Sequence, residues 1–217
     1  MSIQTARQNR LLEVTIANGE HNYLTLEMCR ALVDAIEAAE ADRSTGAILI
    51  RAAGRIFSGG IDLDEAADPE NTDHGFLHHK LFSISDRISK PIVVAVQGAA
   101  LAEGMALLAN AHVVVAAQGT SFGLTEIRAG LFPFAGFDAL ARAIGERRAT
   151  ELALTGRIFA APEALQMGLV HEVAPAFEYD DRAQDIAGKL AYSSPEAVHR
   201  GLEFVHKRRS LSSLDSG

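Results

Sequence analysis

Residues 90–110 read KPIVVAVQGAALAEGMALLAN, and this stretch combines three local patterns in series. The run Ile92–Val96 is short and wholly apolar, as expected of a buried strand. Gln97, Gly98 and the small residues behind them predict a tight turn, and a helix is predicted at 105–110. The stretch therefore predicts a strand, a turn and the N-terminus of a helix, a unit typical of α/β proteins.

A second turn of the same kind lies at residues 57–63, FSGGIDL, after the apolar run Ala47–Ala52 that predicts another strand. Glycine permits backbone conformations that other residues resist, and turns that lead into helices leave N–H groups without intrahelical partners. Two such N–H groups that converge would form an oxyanion hole, which stabilises the negative oxygen of an enolate. Glycine-bearing turns also occur in many α/β proteins without a catalytic role, so the two turns alone leave the function open.

Strands and helices are predicted on both sides of the two turns. Residues 11–16 predict a strand, and 26–40 predict a helix because Cys29, Leu32 and Ile36 follow helical spacing behind Thr25 as a cap. The other predicted segments are a surface loop at 68–75, a helix at 77–90, a strand at 113–116, a mixed segment at 122–133, a helix at 137–155 interrupted at Gly145, a strand at 169–173, and helices at 182–192 and 195–208. This alternation predicts the α/β class, with one continuous core at 1–175 and a C-terminal helical region at 176–217.

The composition excludes several classes of protein. The 217 residues are 48% hydrophobic and 22% charged, which is typical of a globular protein with a sizeable core. The net charge of −8 argues against a broad surface for nucleic acid or anionic lipid, and no apolar segment approaches the ~18–20 residues of a membrane span. Because Cys29 is the only cysteine, no disulfide can form within the chain, and we expect an unprocessed protein of the reducing cytoplasm.

Four segments resemble motifs of the enoyl-CoA hydratase/isomerase (crotonase) superfamily, in the same order along the chain. The first is GRIFSGGIDL at 54–63, and the second is KPIVVAVQGAAL at 90–101. The third, FGLTEIRAGLFP at 122–133, is similar to the glutamate-bearing segment of the family, and the fourth lies within 154–170. Four ordered motifs are difficult to attribute to coincidence.

The resemblance implies a fold, an assembly and a ligand. The fold is a crotonase-like spiral of strand-strand-helix repeats with a C-terminal helical region, assembled as homotrimers or dimers of trimers. The ligand is a bent acyl-CoA thioester, which is the substrate, so no separate cofactor and no metal are expected. Its carbonyl oxygen would lie between the backbone N–H groups of Ile61 and Glu103. The other residues that the resemblance places around the substrate or CoA are Asn22, Tyr23, Leu24, Ser58, Gly60, Asp62, Leu63 and Gly104.

The resemblance implies that hydration in this family uses two glutamates. Only one of them has a counterpart in this sequence. Glu126 matches the later glutamate, whereas Ala106 occupies the position of the first. A single carboxylate can still remove a proton beside a thioester carbonyl and return it to another carbon. We therefore prefer 3-enoyl-CoA to 2-enoyl-CoA isomerisation, with Glu126 as base and then acid and with its pKa raised by an apolar pocket.

Glu103 stands where the family usually has glycine, and two interpretations are open. The preferred one is an acid at a helix N-terminus, stabilised there by the helix dipole. The other is a displaced second acid, which would restore enoyl-CoA hydratase chemistry together with Glu126. A third hypothesis is a non-catalytic CoA-binding or scaffolding relative, favoured by Ala106 and by a C-terminal region that is shorter than the family's.

Histidines invite a metal hypothesis at 74–79, where three of them lie close together. His78 and His79 are adjacent, and adjacent residues on a helix point in different directions. They therefore do not form a metal-binding pair by themselves. We expect these histidines, and also His21, on the surface or in packing positions.

Overall fold

The computed structural model describes residues 2–62, 65 and 74–214, and at 74 and 210–214 it describes the backbone without the side chains. The strands in chain order are β1 (Ser2–Gln8), β2 (Leu11–Ala17), β3 (Ala47–Ala52), β4 (Ile92–Val96), β5 (Ala99–Leu101), β6 (Val113–Ala117), β7 (Ser121–Gly123), β8 (Phe159–Ala160) and β9 (Glu172–Ala174). The main sheet has the order β1-β2-β3-β4-β6-β9, and β5-β7-β8 form a second sheet. β1 and β2 are antiparallel, whereas the other neighbours in the main sheet are parallel. The α/β class and the strands predicted at 11–16, 47–52, 92–96 and 113–116 are confirmed.

The central strands are buried on both faces, which explains why their sequences are apolar throughout rather than alternating. Ile48, Val94 and Val114 face one core, which includes the helix Leu26–Ala41. Their neighbours along the strands face a smaller core, packed against three alanines of the helix Tyr179–Ala191. The boundary predicted near residue 175 stays a prediction, and the helix beyond it contacts the sheet directly.

The helices are α1 (Leu26–Ala41), α2 (His74–Phe82), α3 (Glu103–Ala109), α4 (Phe134–Ile144), α5 (Glu146–Thr155), α6 (Ala161–Met167), α7 (Tyr179–Ala191) and α8 (Pro195–Leu214), with short 3-10 helices at Ile84–Asp86 and Thr125–Ala129. The Thr25 hydroxyl accepts the Met28 N–H at 3.2 Å, so the predicted cap of α1 is confirmed. Gly145 separates α4 from α5, as predicted. Among the described residues, no helix combines the length and the apolar character that crossing a bilayer requires.

The helix predicted at 77–90 is wrong in its second half. α2 ends at Phe82, and the next residues form the 3-10 helix Ile84–Asp86. The Ser83 hydroxyl donates to the carbonyl of His79 at 2.6 Å, and serine side chains that bond to the backbone in this way compete with regular helix. The apolar residues that predicted one helix are therefore divided between α2 and the 3-10 helix that follows it. Most of the predicted loop at 68–75 lies outside the described residues.

Two strand predictions also need correction. The strand predicted at 169–173 begins only at Glu172, because the N–H groups of Leu169 and Val170 close the end of α6 on the carbonyl of Ala164. β1 was not predicted, since its sequence SIQTARQ has no apolar alternation. It is an exposed edge strand that pairs with β2 along its whole length.

Candidate active site

The two glycine-bearing turns lie side by side, although more than thirty residues separate them in the sequence. Ser58 pairs with Ala100, and the Leu101 N–H donates to the Ser58 carbonyl at 2.9 Å. Gly60 has φ +105°, a conformation that favours glycine. A Cβ on Gly104 would lie only 3.0 Å from Ser58, so the second turn also needs glycine at its closest approach. The contact brings the ends of β3 and β4 to one site.

The carboxyl group of Glu103 lies against the N–H group of Ile61. Its Oε2 atom lies 3.4 Å from the Ile61 nitrogen and accepts that N–H. Burial raises the pKa of Glu103, and the backbone N–H groups of Glu103 and Ile61 oppose this by stabilising the charged form. α3 begins at Glu103, so the positive end of the helix dipole adds to the two donors. The arrangement can hold a negatively charged oxygen.

Ala102 gives the second turn its shape through an unusual backbone conformation. Its φ and ψ are 49° and −127°, in a region that residues other than glycine rarely adopt. The Ala102 N–H donates to the Gly123 carbonyl at 2.8 Å, which holds the residue in place. Such strain typically costs about 1–3 kcal/mol and is retained where the surrounding structure enforces it. The strained residue lies directly before the first residue of α3.

Glu126 is a buried carboxyl group with no hydrogen-bond partner in the described structure. It lies in the 3-10 helix Thr125–Ala129 with only 7% of its surface exposed, and neither carboxyl oxygen has a partner. Burial raises its pKa to about 8, and the charge of Glu103 contributes in the same direction. A carboxyl group of this kind can exchange a proton near neutral pH.

Glu103 and Glu126 line the same cavity, which has a volume of about 390 Å³. This volume lies within the range of small-ligand pockets. The cavity is mostly apolar, with Leu131, Phe132 and Phe134 in its wall, and Phe134 is 82% exposed. A ligand with an apolar body and one strong acceptor oxygen fits this distribution.

The residues expected around the ligand divide into cavity-lining and supporting positions. Tyr23 lines the cavity and is 42% exposed. Asn22 is fully buried, and its side chain bonds to Asn18, Ala53 and Ile56, so it fixes the loop without reaching the cavity.

Leu24 is also buried, and it pairs with Ile61 through the backbone. Ser58 donates to the Asn22 carbonyl at 3.1 Å and accepts the Gly60 N–H at 3.1 Å, so it supports the first turn. Asp62 accepts the Glu65 N–H at 3.3 Å. Leu63 lies outside the described residues.

Ala106 is buried beneath α4 and is not part of the cavity wall. A Cβ built on Gly136 would meet the Ala106 Cβ at 2.5 Å, so the two helices touch at this point. Ala106 therefore contributes to the packing between α3 and α4 and supplies no carboxyl group to the cavity.

Several cavity residues were not anticipated from the sequence. His78 is buried, with its ring centroid 5.7 Å from that of Phe82, and it lines the cavity. The sequence predicts His78 only in a surface or packing position. Thr125, Phe132 and Phe134 belong to the glutamate-bearing motif or follow it directly, and that proximity was the available signal. Among the residues that the structure describes, no group of three or more His, Cys, Asp or Glu residues could hold a metal.

Solved structures with this fold confirm the predicted architecture. A Legionella pneumophila chain described as "putative enoyl CoA hydratase/isomerase (crotonase)" matches with a TM-score of 0.88 and 24% identity, covering 99% of this chain and 89% of that chain. An enoyl-CoA hydratase/isomerase family protein from Silicibacter pomeroyi matches with a TM-score of 0.91 and 30% identity, covering 96% of this chain and 92% of that chain. The crotonase fold is therefore confirmed.

Sequence comparison leads to the same family. The 2,3-dehydroadipyl-CoA hydratase of Escherichia coli is 31% identical over 210 residues, which are 95% of this chain and 82% of the relative. A Bacillus subtilis protein named "Probable enoyl-CoA hydratase" is 33% identical over 205 residues, 92% of this chain and 80% of the relative. Residues 6–215 match the family profile described as Enoyl-CoA hydratase/isomerase. The chain belongs to the enoyl-CoA hydratase/isomerase family of enzymes.

Proposed function

We propose that this enzyme transfers a proton beside the carbonyl of an acyl-CoA thioester and converts 3-enoyl-CoA to 2-enoyl-CoA. The observation that carries the proposal is the buried carboxyl group of Glu126, whose oxygens have no partner and whose pKa is raised to about 8. It lines the same cavity as Ile61 and Glu103, and the Ile61 N–H already bonds to a carboxyl oxygen. A base and an oxyanion hole are the two parts that an enolate mechanism needs.

The reaction begins when the thioester oxygen takes the position between the N–H groups of Ile61 and Glu103. The Glu126 carboxylate removes a proton from C2, and the electrons move toward the thioester oxygen to give a dienolate. The neutral Glu126 then returns the proton to C4, which leaves the double bond between C2 and C3. General base catalysis contributes about 10²–10⁴ in rate, and each oxyanion donor about 10²–10³. One carboxylate is sufficient because the same proton is removed and returned.

The cavity wall supports an acyl-CoA ligand with an apolar acyl group. Leu131 and Phe132 contribute apolar surface beside the two carboxyl groups. Tyr23 lies in the segment expected to contact the CoA portion, and its partial exposure leaves the ring accessible. Leu24 and Asn22 support this segment from the interior.

The test is an assay of Glu126→Gln with a 3-enoyl-CoA, in which formation of 2-enoyl-CoA is followed. We expect kcat to fall by about 10²–10⁴, because an amide cannot remove the proton. The control is Glu146→Gln, which changes an exposed glutamate at the start of α5. Full turnover by Glu126→Gln would remove the assignment, and tight CoA binding without turnover by the wild type would favour the non-catalytic hypothesis.

Hydration of a 2-enoyl-CoA is the second candidate, and the position of Glu103 favours it. Its carboxyl group lines the cavity together with that of Glu126, so two carboxyl groups are available to position and activate a water. In this case Glu103→Ala should abolish hydration of a 2-enoyl-CoA while isomerisation of a 3-enoyl-CoA persists. Loss of both activities in parallel would argue against separate roles for the two carboxyl groups.

A further inference from the structure

The carboxyl group of Glu103 lies against the turn that supplies the first oxyanion donor. Its Oε2 atom accepts the Ile61 N–H at 3.4 Å. The same atom lies 3.4 Å from the position that a Cβ on Gly60 would take. The carboxyl group is therefore in contact with the first turn, whose backbone is held by the Leu24–Ile61 bridge and by the Ser58 hydroxyl.

The Ile61 N–H cannot serve Glu103 and a thioester at the same time. It bonds to the Glu103 carboxyl group, and the oxyanion function requires it for the substrate oxygen. A hydrogen bond from a backbone N–H to a charged carboxylate is stronger than one to a neutral carbonyl. A thioester carbonyl must therefore displace the stronger acceptor before it can bind.

We infer that the side chain of Glu103 occupies the oxyanion hole of the free enzyme. It competes there with thioester carbonyls and so determines how tightly they bind. This inference rests on the proposed function of the same site. The displaced carboxyl group remains in the cavity that it shares with Glu126. Displacement thus lowers the affinity for the substrate.

Two kinds of CoA ligand should differ in their competition with Glu103. A thioester such as butyryl-CoA presents a carbonyl oxygen to the two amides, whereas the thioether S-butyl-CoA has the same chain and lacks that oxygen. Only the thioester competes with the Glu103 carboxylate. Neither ligand carries a double bond to shift or to hydrate, so their binding is measured without turnover.

The experiment is calorimetric titration of the wild type, Glu103→Ala and Glu103→Gln with both ligands. We expect Glu103→Ala to bind butyryl-CoA about tenfold or more tightly than the wild type, since a hydrogen bond to a charged group is lost from the unliganded state. Its affinity for S-butyl-CoA should stay within about twofold, which also shows that the variant is folded. Glu103→Gln keeps an acceptor oxygen without the charge, and we expect an intermediate gain.

A matched control is Glu146→Ala, which removes an exposed acid from the first turn of another helix. It should change neither affinity. Unchanged or weaker binding of butyryl-CoA to Glu103→Ala would overturn the inference, and so would an equal gain for both ligands. Failure of the proposed function is a separate result, because it appears as a Glu126→Gln enzyme with full turnover whatever the titrations give.

Discussion

Glu126 derives its chemical character from its surroundings. A solvated glutamate is a weak base, whereas this one is buried next to a second carboxyl group, and both conditions disfavour the charged form. Neither carboxyl oxygen has a hydrogen-bond partner among the described residues. The result is a carboxyl group that can accept and release a proton near neutral pH.

The raised pKa predicts the pH dependence of the reaction. The base form of Glu126 is the carboxylate, and its fraction rises with pH until the pKa of about 8 is passed. We therefore expect kcat/KM for isomerisation to rise about tenfold per pH unit below that pKa and to level off above it. Initial rates measured at constant ionic strength check this. A flat profile between pH 6 and pH 9 would contradict the buried carboxyl as base.

The same shift predicts an effect on stability. Because the pKa of Glu126 is raised above its ordinary value of 4.5, its contribution to stability is present below that value and is lost as pH rises through about 8. Glu126→Gln does not have this loss. We expect its melting temperature to exceed that of the wild type by an amount that grows from pH 5 to pH 8. A difference that is independent of pH would exclude this origin.

Small residues allow α3 and α4 to pack closely against each other beside the site. Gly136 of α4 lies on Ala106 of α3 so closely that a single added carbon would overlap with it. Ala106 is therefore a packing residue in the contact between the two helices. Glu103 directly precedes Gly104, the glycine that packs on Ser58. The side chain of Glu103 lines the cavity.

This packing predicts opposite effects for two glycine-to-alanine changes in helices. Gly136→Ala adds a methyl group against Ala106, and overpacking typically costs about 1–3 kcal/mol, which outweighs the gain of about 1 kcal/mol in helix propensity. Gly188→Ala in α7 meets no atom within 4 Å and should only gain stability. Urea unfolding of both variants measures the difference. Equal stabilisation by both changes would show that α4 can move away from α3.

The architecture places the site at the ends of parallel strands. β3 and β4 are central in the main sheet, and the turns that follow them supply Ile61 and Glu103. Helices cover both faces of the sheet, so the cavity opens beyond the strand ends, where ligands of α/β proteins commonly bind. The outer surface also carries apolar side chains, among them Leu154, Ile158 and Leu165, which are 60%, 43% and 43% exposed.

These exposed side chains support the prediction of a homotrimer or a dimer of trimers. Large apolar side chains exposed on a surface are buried when they contact another subunit. We expect light scattering behind a sizing column to give about three or six times the 23.2 kDa mass of one chain. Leu154→Glu should shift the distribution toward smaller species, whereas Glu146→Gln should not. A monomeric wild type at micromolar concentration would contradict this prediction.

Much of the fold could be predicted from local patterns. The strands at 47–52 and 92–96 are apolar runs between turn residues, and α1 has helical spacing behind a capping threonine. β1 could not be predicted in this way, because an exposed edge strand is held by pairing with its neighbour and not by its own sequence. The early end of α2 depends on a serine side chain that bonds to the backbone.

For the site, the amino-acid sequence by itself determined which groups are available: two glycine-bearing turns, the carboxyl group of Glu126, and alanine in place of a second glutamate. The folded chain decided where those groups point. The orientation of Glu103 toward Ile61, the packing of Ala106 against Gly136 and the raised pKa of Glu126 all depend on segments that are distant in the sequence. Burial and charge proximity arise from packing between such segments, and for that reason no local pattern contains them.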